Sequence, residues 1–156
     1  MRECDVAKNV TDLLAGYLTA AGVEVVGSLQ SDSLHEVVSA SNSADTDVFI
    51  SIHCNACNGS ANGTEVWHYY GSGEGEKLAQ CIQNQIVDAL GTVDRGIKSA
   101  KHGVNGLYVL SNTDAVAALV ELAFIDHASD AELLRSQQDE FARAIARGGT
   151  DYEGAC

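Results

Sequence analysis

Proline is missing altogether from the 156 residues, and cations are scarce: 9 Lys and Arg stand against 22 Asp and Glu, a formal net charge of -13. Without proline, the turns must rest on glycine, asparagine, aspartate and serine. The shortage of positive charge excludes nucleic acid as a partner, because neutralising a phosphate backbone needs clustered Lys and Arg. No run approaches the roughly 18 apolar residues of a membrane span, and the opening MRECDVAKN has no apolar signal-peptide core, so neither a span nor an export signal is visible. Five cysteines, Cys4, Cys54, Cys57, Cys81 and Cys156, form a single C-x-x-C with no second half for a structural zinc site; they read as reduced thiols. What is present, 46% hydrophobic content without a shift in composition, suits one compact domain over residues 1–147. The final GGTDYEGAC, 148–156, reads as a disordered or weakly docked tail.

Two apolar runs organise the chain. DVFISIHCN (Asp47 to Asn55) has the length and β-branched content of a strand covered on both faces, and it ends on His53 and Asn55. In open α/β sheets ligands bind beyond the carboxyl ends of the strands, which sets a site residue against a hydrogen-bonded core histidine as the two readings of His53. AALVELAFI (Ala117 to Ile125) is a second buried strand with Glu121 at its centre; a carboxylate there is costly unless paired, metal-bound or protonated. Val6, Val10, Leu13, Leu14, Tyr17 and Leu18 recur at helical spacing over residues 3–21, ahead of Gly22. The same wheel places Glu3 in the apolar stripe, against the alternative of a first-turn acid favoured by the helix dipole.

Further elements follow by the same rules. Val23 to Val26 reads as a short strand, Ser33 with Glu36 as a capping box opening a helix toward Ala44, and Thr64 to Tyr70 as a strand. Its aromatic end, Trp67 to Tyr70, suits either a groove for an extended ligand or edge packing. Glu74 to Leu90 is an amphipathic helix stopped by Gly91, Thr92 to Gly106 a polar irregular stretch, Leu107 to Leu110 a short strand, and Asp130 to Arg147 one closing helix. Arg95, Lys98, Lys101 and His102 concentrate positive charge in an acidic chain, either to attract carboxylates or as a solvated loop. The alternation of buried strands and amphipathic helices predicts an α/β three-layer sandwich, a mostly parallel sheet with helices on both faces.

SIHCNA (Ser51 to Ala56), GTEVWHYY, DRGIK (Asp94 to Lys98), LYVL and LVELAFID (Leu119 to Asp126) together resemble the zinc-dependent N-acetylmuramoyl-L-alanine amidases of the Amidase_3 family, in order along nearly the whole chain. The resemblance implies a peptidoglycan hydrolase that cuts the amide between the lactyl group of N-acetylmuramic acid and L-alanine with a zinc-activated water. Matched residue by residue, it implies Glu3 and His53 as Zn2+ ligands and Glu121 as the catalytic base, with Asn55 orienting the loop or substrate and Arg95 binding substrate. Peptidoglycan is then the partner, reached after release, after lysis, or by an export signal that this chain does not show. The family's further ligand, a histidine on a strand ahead of Glu3, has no counterpart, since only Met1 and Arg2 precede it; Val116 and Ala123 replace the family's usual proline and glycine. The expectation is therefore an N-terminally short catalytic domain with weak zinc binding and slow cleavage, in which His68, His102 or His127 is the alternative ligand. The other class is a non-catalytic or zinc-depleted wall-binding fragment of the same fold.

Overall fold

A computed structural model describes residues 1–154. In chain order the elements are α1 (Glu3–Ala20), α2 (Leu34–Ser43), β1 (Val48–Asn55), β2 (Thr64–Tyr69), α3 (Gly73–Leu90), β3 (Asp94–Ala100), α4 (Tyr108–Asn112), β4 (Val116–Phe124), α5 (Ala128–Ser136) and α6 (Gln138–Glu153). Ser33 caps α2 as its spacing requires, accepting a hydrogen bond from the Glu36 N–H at 3.3 Å. The four strands lie in the order β1-β4-β2-β3; the β1–β4 and β2–β3 pairs are parallel and the central β4–β2 pair is antiparallel. The expected α/β sandwich with a mostly parallel sheet is the fold observed.

The pleat decides which residues meet, because successive strand side chains leave the sheet on opposite faces. Ile52 and Cys54 of β1, Val66 of β2, and Ala118, Val120 and Leu122 of β4 join the larger core with α1, α3 and α6. Ala117 and Leu119 point the other way, into a smaller core closed by Val38 of α2 and by Val109 and Leu110 of α4. His53, Glu65 and Glu121 have the parity of this second face. The helices packed on it are short, ten residues in α2 and five in α4.

Several elements depart from their sequence reading. Val23–Val26 forms no ladder, and with Glu24 and Val26 exposed it stays irregular, because an extended segment without a partner is not held as a strand. Asp94–Ala100 is a strand despite its polarity, since parallel pairing with β2 satisfies its backbone. Leu107–Leu110 leads into a helix, an apolar run too short for periodicity to separate the two states. The closing segment is two helices, broken at Gln137 with φ -121° and ψ 25°. Residues 148–153, read as tail, continue α6; Gly148 is buried, and a Cβ there would stand 2.6 Å from the Ile82 backbone in α3. Cys4, Cys54 and Cys57 are free thiols as expected, Cys81 is disulfide-bonded and departs from that reading, and Cys156 lies outside the described residues. Among the described residues no helix is long and apolar enough to cross a membrane.

Candidate active site

His53 and Glu121 are register partners on β1 and β4, near the carboxyl ends of both strands. Glu3, opening α1, reaches across from the helix: its Oε1 lies 3.0 Å from His53 Nδ1 and accepts from the Cys54 N–H at 3.3 Å. The structure thus brings Glu3, His53 and Glu121 to one end of the sheet, where the family resemblance implied they would meet. Glu3 is less inward than its helical position suggested, since its side chain keeps 47% of its exposure at the rim of the cleft. The other ring nitrogen of His53, Nε2, is 2.9 Å from Ser51 Oγ, so the imidazole is fixed at both ends.

Glu121 is the chemically unusual group. Burial above all, then the negative charges of Glu3 and Glu65, push its carboxyl up to about 7. Its Oε2 is buried and has no hydrogen-bond partner among the described residues. A carboxyl that is about half protonated near neutral pH, with Oε2 uncommitted, is equipped to take and return a proton. Neighbouring Cys54 is driven the other way from reactivity: burial, with Glu3 and Glu121 nearby, raises its thiol to about 12, which leaves Cys54 itself without a thiolate for redox chemistry.

The sequence reading missed Glu65, the register partner of Glu121 on β2. Its residue is 6% exposed, and its carboxylate is fully engaged: Oε1 accepts from Asn55 Nδ2 at 3.1 Å and Trp67 Nε1 at 3.2 Å, and Oε2 accepts from Arg95 Nε at 2.8 Å. A weaker form of the signal that singled out Glu121 was available, a lone acid in a strand, but Thr64 and His68 make β2 less apolar than β4. Asn55 also accepts from the Ala56 N–H at 2.9 Å with its carboxamide oxygen, so one end holds the start of the following loop and the other holds Glu65. Asp126 closes that loop from β4's side by accepting from the Cys57 and Gly59 N–H groups at 3.0 and 2.9 Å, which hold its carboxyl below the usual range. Of the positive cluster only Arg95 joins the site directly; Lys98 bonds the Arg95 carbonyl, and Lys101 sits over the Tyr70 ring at the far end of β2. The aromatic segment divides in the same way: Trp67 faces Glu65, whereas Tyr69 and Tyr70 lie at the opposite end of the strand from the site.

Sheet and site define an α/β protein with a histidine and three carboxylates gathered at one end of its sheet, a set suited to hydrolytic proton transfer. The family model described as Amidase_3, N-acetylmuramoyl-L-alanine amidase, matches residues 1–150, and the chain belongs to that family. Among its relatives, N-acetylmuramoyl-L-alanine amidase LytC of Bacillus subtilis is 38% identical over 156 residues, covering 95% of this chain and 30% of LytC. The endolysin of Bacillus phage SPP1 is 30% identical over 158 residues, 95% of this chain and 55% of the endolysin. The chain thus spans less than a third of the one and just over half of the other. The crystal structure of N-acetylmuramoyl-L-alanine amidase from Clostridium difficile 630 superposes with a TM-score of 0.89 at 30% identity, over 99% of this chain and 86% of that one.

Proposed function

We propose that the chain is an amidase catalytic domain that hydrolyses the bond between N-acetylmuramic acid and L-alanine in peptidoglycan, with Glu121 as its proton-transfer group. The single observation that carries this reading is the Glu121 carboxyl itself, buried, raised to about 7 and open at Oε2, on the strand beside His53. As general base it takes the proton of the attacking water, and as general acid it returns that proton to the departing alanine nitrogen. The 3.0 Å contact with Glu3 Oε1 calls for Nδ1–H on His53, with the Ser51 hydroxyl donating to Nε2; a metal held at Nδ1 would take the place of that proton, and Nε2–H would then donate to Ser51.

An imidazole nitrogen and a carboxylate oxygen standing 3.0 Å apart are both donors that zinc accepts, and His53 and Glu3 are the residues that would hold it. Among the described residues no group of three or more His, Cys, Asp or Glu side chains is arranged for a metal, so these residues fit two of the ion's donors. When bound, zinc supplies Lewis-acid polarisation of the amide carbonyl and a more acidic water. With two protein donors its affinity should be weak, and removing either one, in H53A or E3A, should lower zinc uptake in calorimetry by at least about tenfold. Retention of wild-type uptake by both variants would remove these residues from the metal's coordination.

The activity is tested with purified muramyl peptides in the presence of zinc, following release of the L-alanine amino group. E121Q should cut at least about a hundredfold more slowly than the parent chain, with zinc uptake unchanged, as expected for loss of a general acid–base group. Equal rates for the two would overturn the assignment of Glu121. Zinc binding without cleavage by the parent chain would instead favour the wall-binding reading.

A further inference from the structure

Arg95 is held at one end and open at the other. Its Nε is committed to Glu65 at 2.8 Å, and its guanidinium lies over the Phe124 ring, 4.9 Å from the centroid. Of the terminal nitrogens, Nη1 makes only a long 3.5 Å contact with the Asn62 carbonyl and Nη2 bonds to none of the described residues, while the side chain keeps 35% of its exposure. This is the reverse of a closed ion pair, in which the fork of Nη1 and Nη2 would grip the carboxylate. Glu65 is fixed in turn from below. Gln83 of α3, fully buried, donates from Nε2 to the Thr64 carbonyl at 2.9 Å and to Asp94 Oδ1 at 2.6 Å, tying together the residues that precede Glu65 and Arg95 on β2 and β3. A buried carboxylate with three donors, clamped through its neighbours, is a rigid mount for a guanidinium.

Resting on the amidase reading above, we propose that Glu65 is a positioning residue that presents the free Nη edge of Arg95 to a carboxylate on the stem peptide of the substrate, and so makes the site selective for peptides bearing a free acid near the scissile bond. The chemistry fits the surroundings. Glu3 and Glu65 would repel an anionic peptide, and the guanidinium of Arg95 stands beside Glu65 to offset them. A guanidinium whose Nε and π face are already occupied offers two parallel N–H groups in a plane set by Phe124 and Glu65, the arrangement that recognises a carboxylate in bidentate fashion. The carboxamide of the same peptide would match only one of those donors.

The test uses the full chain and two muramyl peptides that differ only in whether the residue after L-alanine carries a free α-carboxylate or the corresponding carboxamide, with binding followed by calorimetry in the E121Q background, where cleavage during the titration is slowed at least about a hundredfold. The carboxylate form should bind about tenfold tighter. E65Q, which keeps the shape of the mount but not its charge, should bring the two peptides within about twofold of each other by weakening the carboxylate form alone. R95K, at a partly exposed position and keeping the charge without the fork, should reduce the preference severalfold and serves as the second variant if E65Q does not fold. E65D should restore part of the preference, a rescue that a merely structural residue would not show. Equal affinity for both peptides in the parent background, an unchanged preference in E65Q or R95K, or equal weakening of both peptides by E65Q overturns the proposal while leaving the amidase reading in place. Failure to bind either peptide overturns both.

Discussion

Replacing Glu121 by glutamine isolates what the fold spends on that carboxyl. Below about pH 4.5 the group is protonated in folded and unfolded chains alike and does not bias the equilibrium. Between 4.5 and about 7 the unfolded chain ionises freely while burial and the charges of Glu3 and Glu65 keep the folded one protonated, so stability is lost as pH rises through that window. Above it the folded state carries the whole penalty. A rise from 4.5 to about 7 converts, at ~1.4 kcal/mol per tenfold change in proton affinity, to roughly 3 kcal/mol as an upper bound. Glutamine has the same shape and no charge, so E121Q should match the parent near pH 4 and be more stable by about 2 kcal/mol near pH 8, a melting point higher by roughly 4–8 °C. Urea titrations of both proteins across that range, with chelator present to exclude adventitious metal, give the difference curve. Carboxyls that behave oppositely, such as Asp126 with its two backbone donors, destabilise both proteins equally on acidification and cancel in the difference. A difference that stays flat with pH, or that favours the parent at high pH, would refute the argument from burial.

Two further perturbations test the frame of the site. Asp130, 4% exposed, accepts from the Gly63 N–H at 2.8 Å and the Phe124 N–H at 2.9 Å; D130A should strand both donors and lower stability by about 2–4 kcal/mol, and a urea midpoint unchanged from the parent would show that these bonds are dispensable. G148A should lose about 2 kcal/mol or more, because its added Cβ must displace the α3 backbone at Ile82; a neutral result would mean that residues beyond 147 are the loosely docked tail their composition suggests.

Patterns with a physical period were legible in the sequence. The stripes of α1 and α3, the Ser33 cap and the continuous apolar runs of β1 and β4 all follow from local spacing and from the cost of leaving apolar surface in water. His53 and Glu121 stood out for a related reason: each interrupts an apolar run of strand length, although a hydrogen-bonded core histidine remained an open reading of His53. The resemblance of SIHCNA and LVELAFID to a family added roles that spacing alone does not assign, and the match over residues 1–150 bears out the family. What the chain's order could not express was pairing. That Asp94–Ala100 is a strand depends on β2 lying beside it, and that Val23–Val26 is not one depends on its having no such neighbour. The distribution of charge in the cleft is likewise tertiary. Arg95 and Glu65 are thirty residues apart in the chain, and only the β2–β3 ladder places them 2.8 Å from each other. The raised carboxyl of Glu121 arises from burial and from two acids on different elements, Glu3 at the head of α1 and Glu65 across the antiparallel pair. Desolvation and Coulomb interaction act through space, so the identity of these residues was written in the sequence, while their proton affinity and their partners were decided by the packing of the sheet.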